Sequence, residues 1–103
     1  MKAINKKIVE DALLSFSGTS PYIHCEVTPG GFVRNVRVEV LQTFIAGDGP
    51  YRAALKLAND GWIRVEELTD YEIDEQGRLL LAGHDDTGRL TTALQLSKDP
   101  FDA

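Results

Sequence analysis

The sequence predicts one α+β domain of 103 residues, with an N-terminal amphipathic helix followed by six or seven mostly antiparallel strands. Three observations carry this reading. Apolar residues recur every four positions between residues 3 and 16. From residue 22 to residue 96, short stretches alternate apolar and polar side chains. Clusters rich in Gly, Pro, Asn and Asp separate those stretches at short intervals. The connections are mostly too short for the crossovers of about a dozen residues that parallel neighbours need. A small, strongly bent barrel is favoured slightly over an antiparallel sheet with the helix across one face.

The elements follow in order. Ile4, Ile8, Ala12 and Phe16 form the helical stripe, with Val9 and Leu13 beside it and Lys6, Lys7, Glu10 and Asp11 pointing away. Ser17-Gly18-Thr19-Ser20-Pro21 ends the helix, because glycine permits a left-handed cap and proline cannot continue the ladder. Residues 22–28 read as a strand with Ile23, Cys25 and Val27 on one face and Tyr22, His24 and Glu26 on the other. After Pro29-Gly30-Gly31, a long strand runs from Phe32 to Ala46. Val36, Val38 and Val40 share one of its faces, and the loss of alternation near Leu41 predicts a bend or bulge.

Gly47-Asp48-Gly49-Pro50 turns the chain into a strand from Tyr51 to Leu57. Asn59-Asp60-Gly61 is a hairpin signal, because these residues tolerate positive φ, and it leads into Trp62-Ile63-Arg64-Val65-Glu66. Short strands over 71–74, 78–82 and 90–96 follow, separated by Asp74-Glu75-Gln76-Gly77 and by the polar loop Gly83–Gly88. The tail 97–103 reads as loosely held, with Phe101 as its pin. The block from Val36 to Ile73, ending in Trp62-Ile63-Arg64-Val65-Glu66-Glu67-Leu68, loosely resembles a small barrel of the SH3-like or Sm-like kind. Residues that would transfer RNA contacts from such barrels are not present, so no family is assigned.

Composition narrows the function classes. A chain of this length buries one core without cross-links. The lone Cys25 excludes an internal disulfide and suits a reducing compartment. No apolar run approaches the roughly 18 residues of a membrane span, and Glu10 and Asp11 interrupt the apolar stretch that a signal peptide requires. The expected setting is the cytoplasm of a bacterium or the genome of a phage. The net charge of −5 is uneven: residues 1–64 sum to +2 and residues 65–103 to −7. Such a balance opposes long-range attraction to nucleic acid and suits a basic protein partner.

Candidate chemistry is sparse. His24, Cys25 and His84 are the residues able to form a thiolate nucleophile or bind a metal. His24 and Cys25 are neighbours in a strand and so face opposite sides, and Cys25 in phase with Ile23 reads as a core thiol. His84-Asp85-Asp86 lies in a turn without calcium-loop spacing, where Asp commonly bonds nearby backbone. Gly30-Gly31 and Gly47-Asp48-Gly49 lack the arrangement of a phosphate loop. No catalytic group, metal or cofactor is assigned.

Two binding surfaces compete. Glu66, Glu67, Asp70, Glu72, Asp74 and Glu75 are six acids within ten residues, and with Trp62 and Tyr71 as anchors they form the preferred protein-binding surface. Arg34, Arg37, Arg52, Lys56 and Arg64 lie on the middle strands with Phe32, Tyr51 and Trp62 nearby, the alternative face for single-stranded nucleic acid. The expectation is a non-enzymatic interaction or regulatory module. A small-ligand carrier is the third class. Pairing of a sheet edge with a second copy is a further possibility.

Overall fold

In the computed structural model, which describes residues 1–102, helix α1 spans Lys6–Leu14. Asn5 starts it: its side-chain oxygen accepts from the Ile8 backbone N–H at 3.2 Å, satisfying a donor with no intrahelical partner. The helix is shorter than the predicted 3–16 stretch. Lys2–Ala3 ahead of it form the two-residue strand β1, and beyond Leu14 the chain tightens into turns in which the Phe16 N–H donates to Leu13 and the Ser17 N–H to Leu14. The buried stripe is Val9, Leu13 and Phe16, while Ile8 is exposed. A strict four-residue series drifts around a 3.6-residue helix, so Ile8 falls at the edge of the face that Val9 and Leu13 centre.

Eight further strands follow: β2 Tyr22–Val27, β3 Gly31–Arg37, β4 Val40–Ala46, β5 Tyr51–Leu57, β6 Trp62–Leu68, β7 Asp70–Ile73, β8 Leu79–His84 and β9 Leu90–Ser97. Every pairing is antiparallel. They form a six-stranded sheet in the order β1-β7-β8-β9-β2-β3 and a separate three-stranded sheet in the order β4-β5-β6. The expected barrel is therefore corrected to two unclosed sheets. The small sheet packs on the large one where β6 crosses β8 and β9, and α1 packs against β4. Leu55, Val65 and Leu68 of the small sheet meet Ile23, Leu79, Leu81, Leu94 and Leu96 of the large one in one core with Val9, Leu13 and Phe16. No helix among the described residues is long and apolar enough to cross a membrane.

The predicted long strand is real as an extended path but serves two sheets. Its first part, β3, pairs with β2. The Val38 and Val40 N–H groups then donate to Pro21 and Thr19 as the chain leaves that sheet, and β4 pairs with β5. The predicted irregularity falls at Leu41, where the register slips between Val40 and Gln42. The face shared by Val36, Val38 and Val40 is broken, since Val40 is buried while Val36 is exposed on the edge strand. At the Asn59-Asp60-Gly61 hairpin, Asn59 and Asp60 carry the positive φ, at 65° and 59°, and the Leu57 N–H donates to the Gly61 carbonyl at 2.7 Å.

The tail is held at Phe101, which is 5% exposed. Asn35, a bulge residue of β3 with φ 56°, uses its side-chain amide as a surrogate strand. Its Oδ1 accepts from the Phe101 N–H at 2.6 Å and its Nδ2 donates to the Phe101 carbonyl at 2.8 Å. Ala103 lies outside the described residues.

Candidate functional site

The outer face of the three-stranded sheet is built by period-two alternation along β5 and β6. Ala53, Leu55 and Val65 point into the core, so Arg52, Ala54, Lys56, Trp62, Arg64 and Glu66 point out. Phe44 joins them because the bulge at Leu41 inverts the phase of β4. Phe44 and Arg64 both pair in register with Ala54, and Trp62 pairs with Lys56. The small Ala54 side chain leaves room above the central strand, where the Phe44 and Trp62 rings lean together with centroids 5.8 Å apart. These rings are 44% and 57% exposed. Lys56 Nζ lies 5.9 Å from the Trp62 ring centre, within cation–π range. The result is an open depression of about 590 Å³ with an apolar floor and a cationic margin.

Glu66 is the acid on this face. Its carboxylate lies 3.5 Å from Arg52 and 4.0 Å from Arg64. All three side chains are about half exposed, and such pairs contribute little net stability. The structure thus joins Trp62 with Arg52, Lys56 and Arg64 of the basic set. Arg34 and Arg37 lie elsewhere, on β3. Arg34 donates to His24 Nδ1 at 3.1 Å and to the Asp102 carbonyl at 2.7 Å. Arg37 donates to the Ser20 carbonyl at 3.0 Å. Phe32 packs edge-on against His24, and Tyr51 is half-buried against the core.

The predicted acidic surface is dispersed. Glu66 belongs to the small sheet's outer face, and Glu67 occupies a bulge at φ 61° where β6 ends its pairing with β5. Asp70 accepts from His84 Nδ1 at 2.6 Å and from the Thr69 hydroxyl at 2.9 Å. Tyr71 is 7% exposed and part of the core, so it is no surface anchor. Glu72 lies 3.9 Å from the N-terminal ammonium group. Burial alone would raise the Asp74 carboxyl, but bonds from the Arg78 side chain and the Arg78 and Gln76 backbones outweigh it and hold the carboxyl below its ordinary range. Glu75 is exposed in that turn. Trp62 and the acids of β7 lie on different sheets because Leu68–Asp70 hands the chain from one sheet to the other.

His24 lies on β2. It is 7% exposed, packed against Phe32 and Phe101. Because Arg34 only donates, Nδ1 is the acceptor and the proton sits on Nε2, 3.6 Å from Glu26. Burial first, then the Arg34 charge, lowers its pKa below the ordinary histidine value. Cys25 is half-buried against the core, and burial pushes its thiol up, away from the reactive thiolate. Asp85 is a turn cap: bonds from the Thr87 hydroxyl and the Arg89 and Thr87 backbones hold its carboxyl low. Among the described residues, no three His, Cys, Asp or Glu side chains are grouped to hold a metal ion. Phe44 is the residue of this exposed face that the sequence did not point to.

This fold defines a class. Residues 27–101 match the family described as "Protein of unknown function (DUF1806)", and the chain belongs to that family. In sequence it is 41% identical to the uncharacterized protein YojF of Bacillus subtilis (strain 168), over 98% of each chain. The crystal structure of Bacillus subtilis YojF superposes with a TM-score of 0.90 at 42% identity, covering 99% of this chain and 97% of that one.

Proposed function

We propose that this chain is a small, non-enzymatic interaction module that docks a protein partner through the outer face of β4, β5 and β6. The observation that carries the reading is the pair of exposed, mutually packed aromatic rings, Phe44 and Trp62, framed by Arg52, Lys56 and Arg64. Tryptophan, tyrosine and arginine dominate the residues whose truncation most weakens protein interfaces. The non-enzymatic reading draws support from the burial of His24 beneath Phe101 and of the half-buried Cys25 thiol. A bacterial cytoplasm is the proposed setting, where a single free thiol persists reduced.

The test is affinity purification of the tagged full chain from its native cells, at low and moderate salt, with bound protein and nucleic acid both analysed. A specific protein retained by the native chain and lost by Phe44→Ala and Trp62→Ala is expected. Truncating a central aromatic anchor costs about 2 kcal/mol or more, about thirtyfold in affinity. Equal retention by both variants refutes this face.

Single-stranded nucleic acid is the second reading, favoured by the three cations beside two aromatics on one sheet face. Glu66 between the two arginines weakens it. Retained nucleic acid that falls away steeply with salt would establish it.

A further inference from the structure

We infer that the occupant of this face is an extended acidic segment of another protein, carrying an aromatic or large apolar side chain for the depression over Ala54. This inference rests on the docking face proposed above and adds the chemistry of what docks. The face presents Arg52, Lys56 and Arg64 against the single carboxylate of Glu66, so it is locally cationic on a chain of net charge −5. The Glu66 contacts are long and half exposed, so incoming carboxylates exchange with them at small cost.

Two other occupants fit less well. A second copy docked face to face about a two-fold axis would bring three cations and one carboxylate against the same set, a net repulsion of like charge. A long polyanion would meet the local cations but also the net negative field of the remaining surface. A short segment feels mainly the charges within a Debye length of about 8–10 Å. The geometry suits such a segment. Three strands spaced about 4.8 Å apart make a platform about 10 Å wide. The depression of about 590 Å³ has room for a side chain over Ala54, beside the Phe44–Trp62 pair.

The inference is tested by panning a random twelve-residue peptide library on the immobilised full chain, with counter-selection on Trp62→Ala. The enriched peptides are then titrated while the emission of Trp62, the sole tryptophan, is followed. Sequences pairing an aromatic or large apolar residue with two or more carboxylates are expected. Their binding should shift Trp62 emission to the blue. It should weaken about tenfold on reversing both arginines (Arg52→Glu with Arg64→Glu). Ala54→Leu, which fills the depression without changing charge, should weaken it as well. Enriched peptides without acidic residues overturn the inference and leave the docking face standing. No enrichment over Trp62→Ala overturns the docking face itself. Tighter quenching of Trp62 by oligo(dT) makes the occupant nucleic acid, and a dimer in sedimentation that Ala54→Leu abolishes makes it a second copy.

Discussion

Replacing Gly83 by alanine tests the packing of the three-stranded sheet, whose outer face is the proposed docking surface, on the larger sheet. Gly83 is buried in β8, where β6 crosses the larger sheet. A Cβ there would overlap the Glu67 carbonyl oxygen and lie 2.5 Å from Thr92 Cγ2 and 3.1 Å from the Glu67 carbonyl carbon. Neither neighbour yields easily. Glu67 is already in the left-handed region at φ 61°, and Thr92 is a buried β-branched residue with restricted χ1. Overpacking a core typically costs about 1–3 kcal/mol, and a clash with backbone belongs at the upper end. At about 4–8 °C per kcal/mol for a domain near this size, about 3 kcal/mol lowers Tm by roughly 15 °C. The control is Gly31→Ala, because a Cβ at Gly31 meets no heavy atom within 4 Å. Its effect should stay within about 0.5 kcal/mol. Thermal and urea unfolding of both variants, followed by far-UV circular dichroism, gives the comparison. If Gly83→Ala melts within a few degrees of Gly31→Ala, the close crossing of β6 over β8 is wrong.

Three further outcomes follow from side-chain environments. His24 is held neutral by burial and Arg34, so its folded pKa lies below the unfolded value of about 6.5. The unfolded chain then binds the extra proton, and stability declines as pH falls through about 6.5 toward the folded pKa. Urea midpoints from pH 8 to pH 5 should show that slope, and an NMR titration midpoint for His24 at or above the ordinary value would refute it. Asn35→Ala removes both bonds to Phe101 and puts alanine at φ 56°. Two hydrogen bonds and left-handed strain together predict a loss of about 2–3 kcal/mol in urea unfolding, with faster amide exchange at Phe101. Unchanged exchange there would refute the clamp. Burial that raises the Cys25 thiol predicts alkylation in the native state far slower than in urea, and equal rates would contradict the half-buried placement.

Much of the fold was legible where the signal is local. The apolar spacing of α1, the alternation along β5 and β6, the positive-φ turn at Asn59-Asp60 and the irregularity at Leu41 follow from residues close in sequence. Sheet closure was not legible, because it depends on where an extended path changes partners, and Val38–Glu39 carries no mark of that change. Strand β1 is two residues long, too short for any period. The site divides the same way. Arg52, Lys56, Trp62 and Arg64 share a face by simple alternation on hairpin partners. Phe44 escaped notice because one bulge residue reversed its side of β4. The acids misled for the opposite reason: Glu66 and Glu72 are six positions apart in sequence but belong to separate sheets. Their density in the chain was no guide to a common surface.

The docking face is tested most directly by the indole N–H resonance of Trp62, one peak for the chain's one tryptophan. Isotope-labelled full chain would be titrated with the protein partner recovered from native cells. The account predicts that this peak shifts or broadens together with the amides of Phe44, Ala54 and Arg64, while those of Glu72 and Glu75 stay in place. An unmoved Trp62 peak with shifts at Glu72 and Glu75 would contradict it and return the partner to the acidic segment.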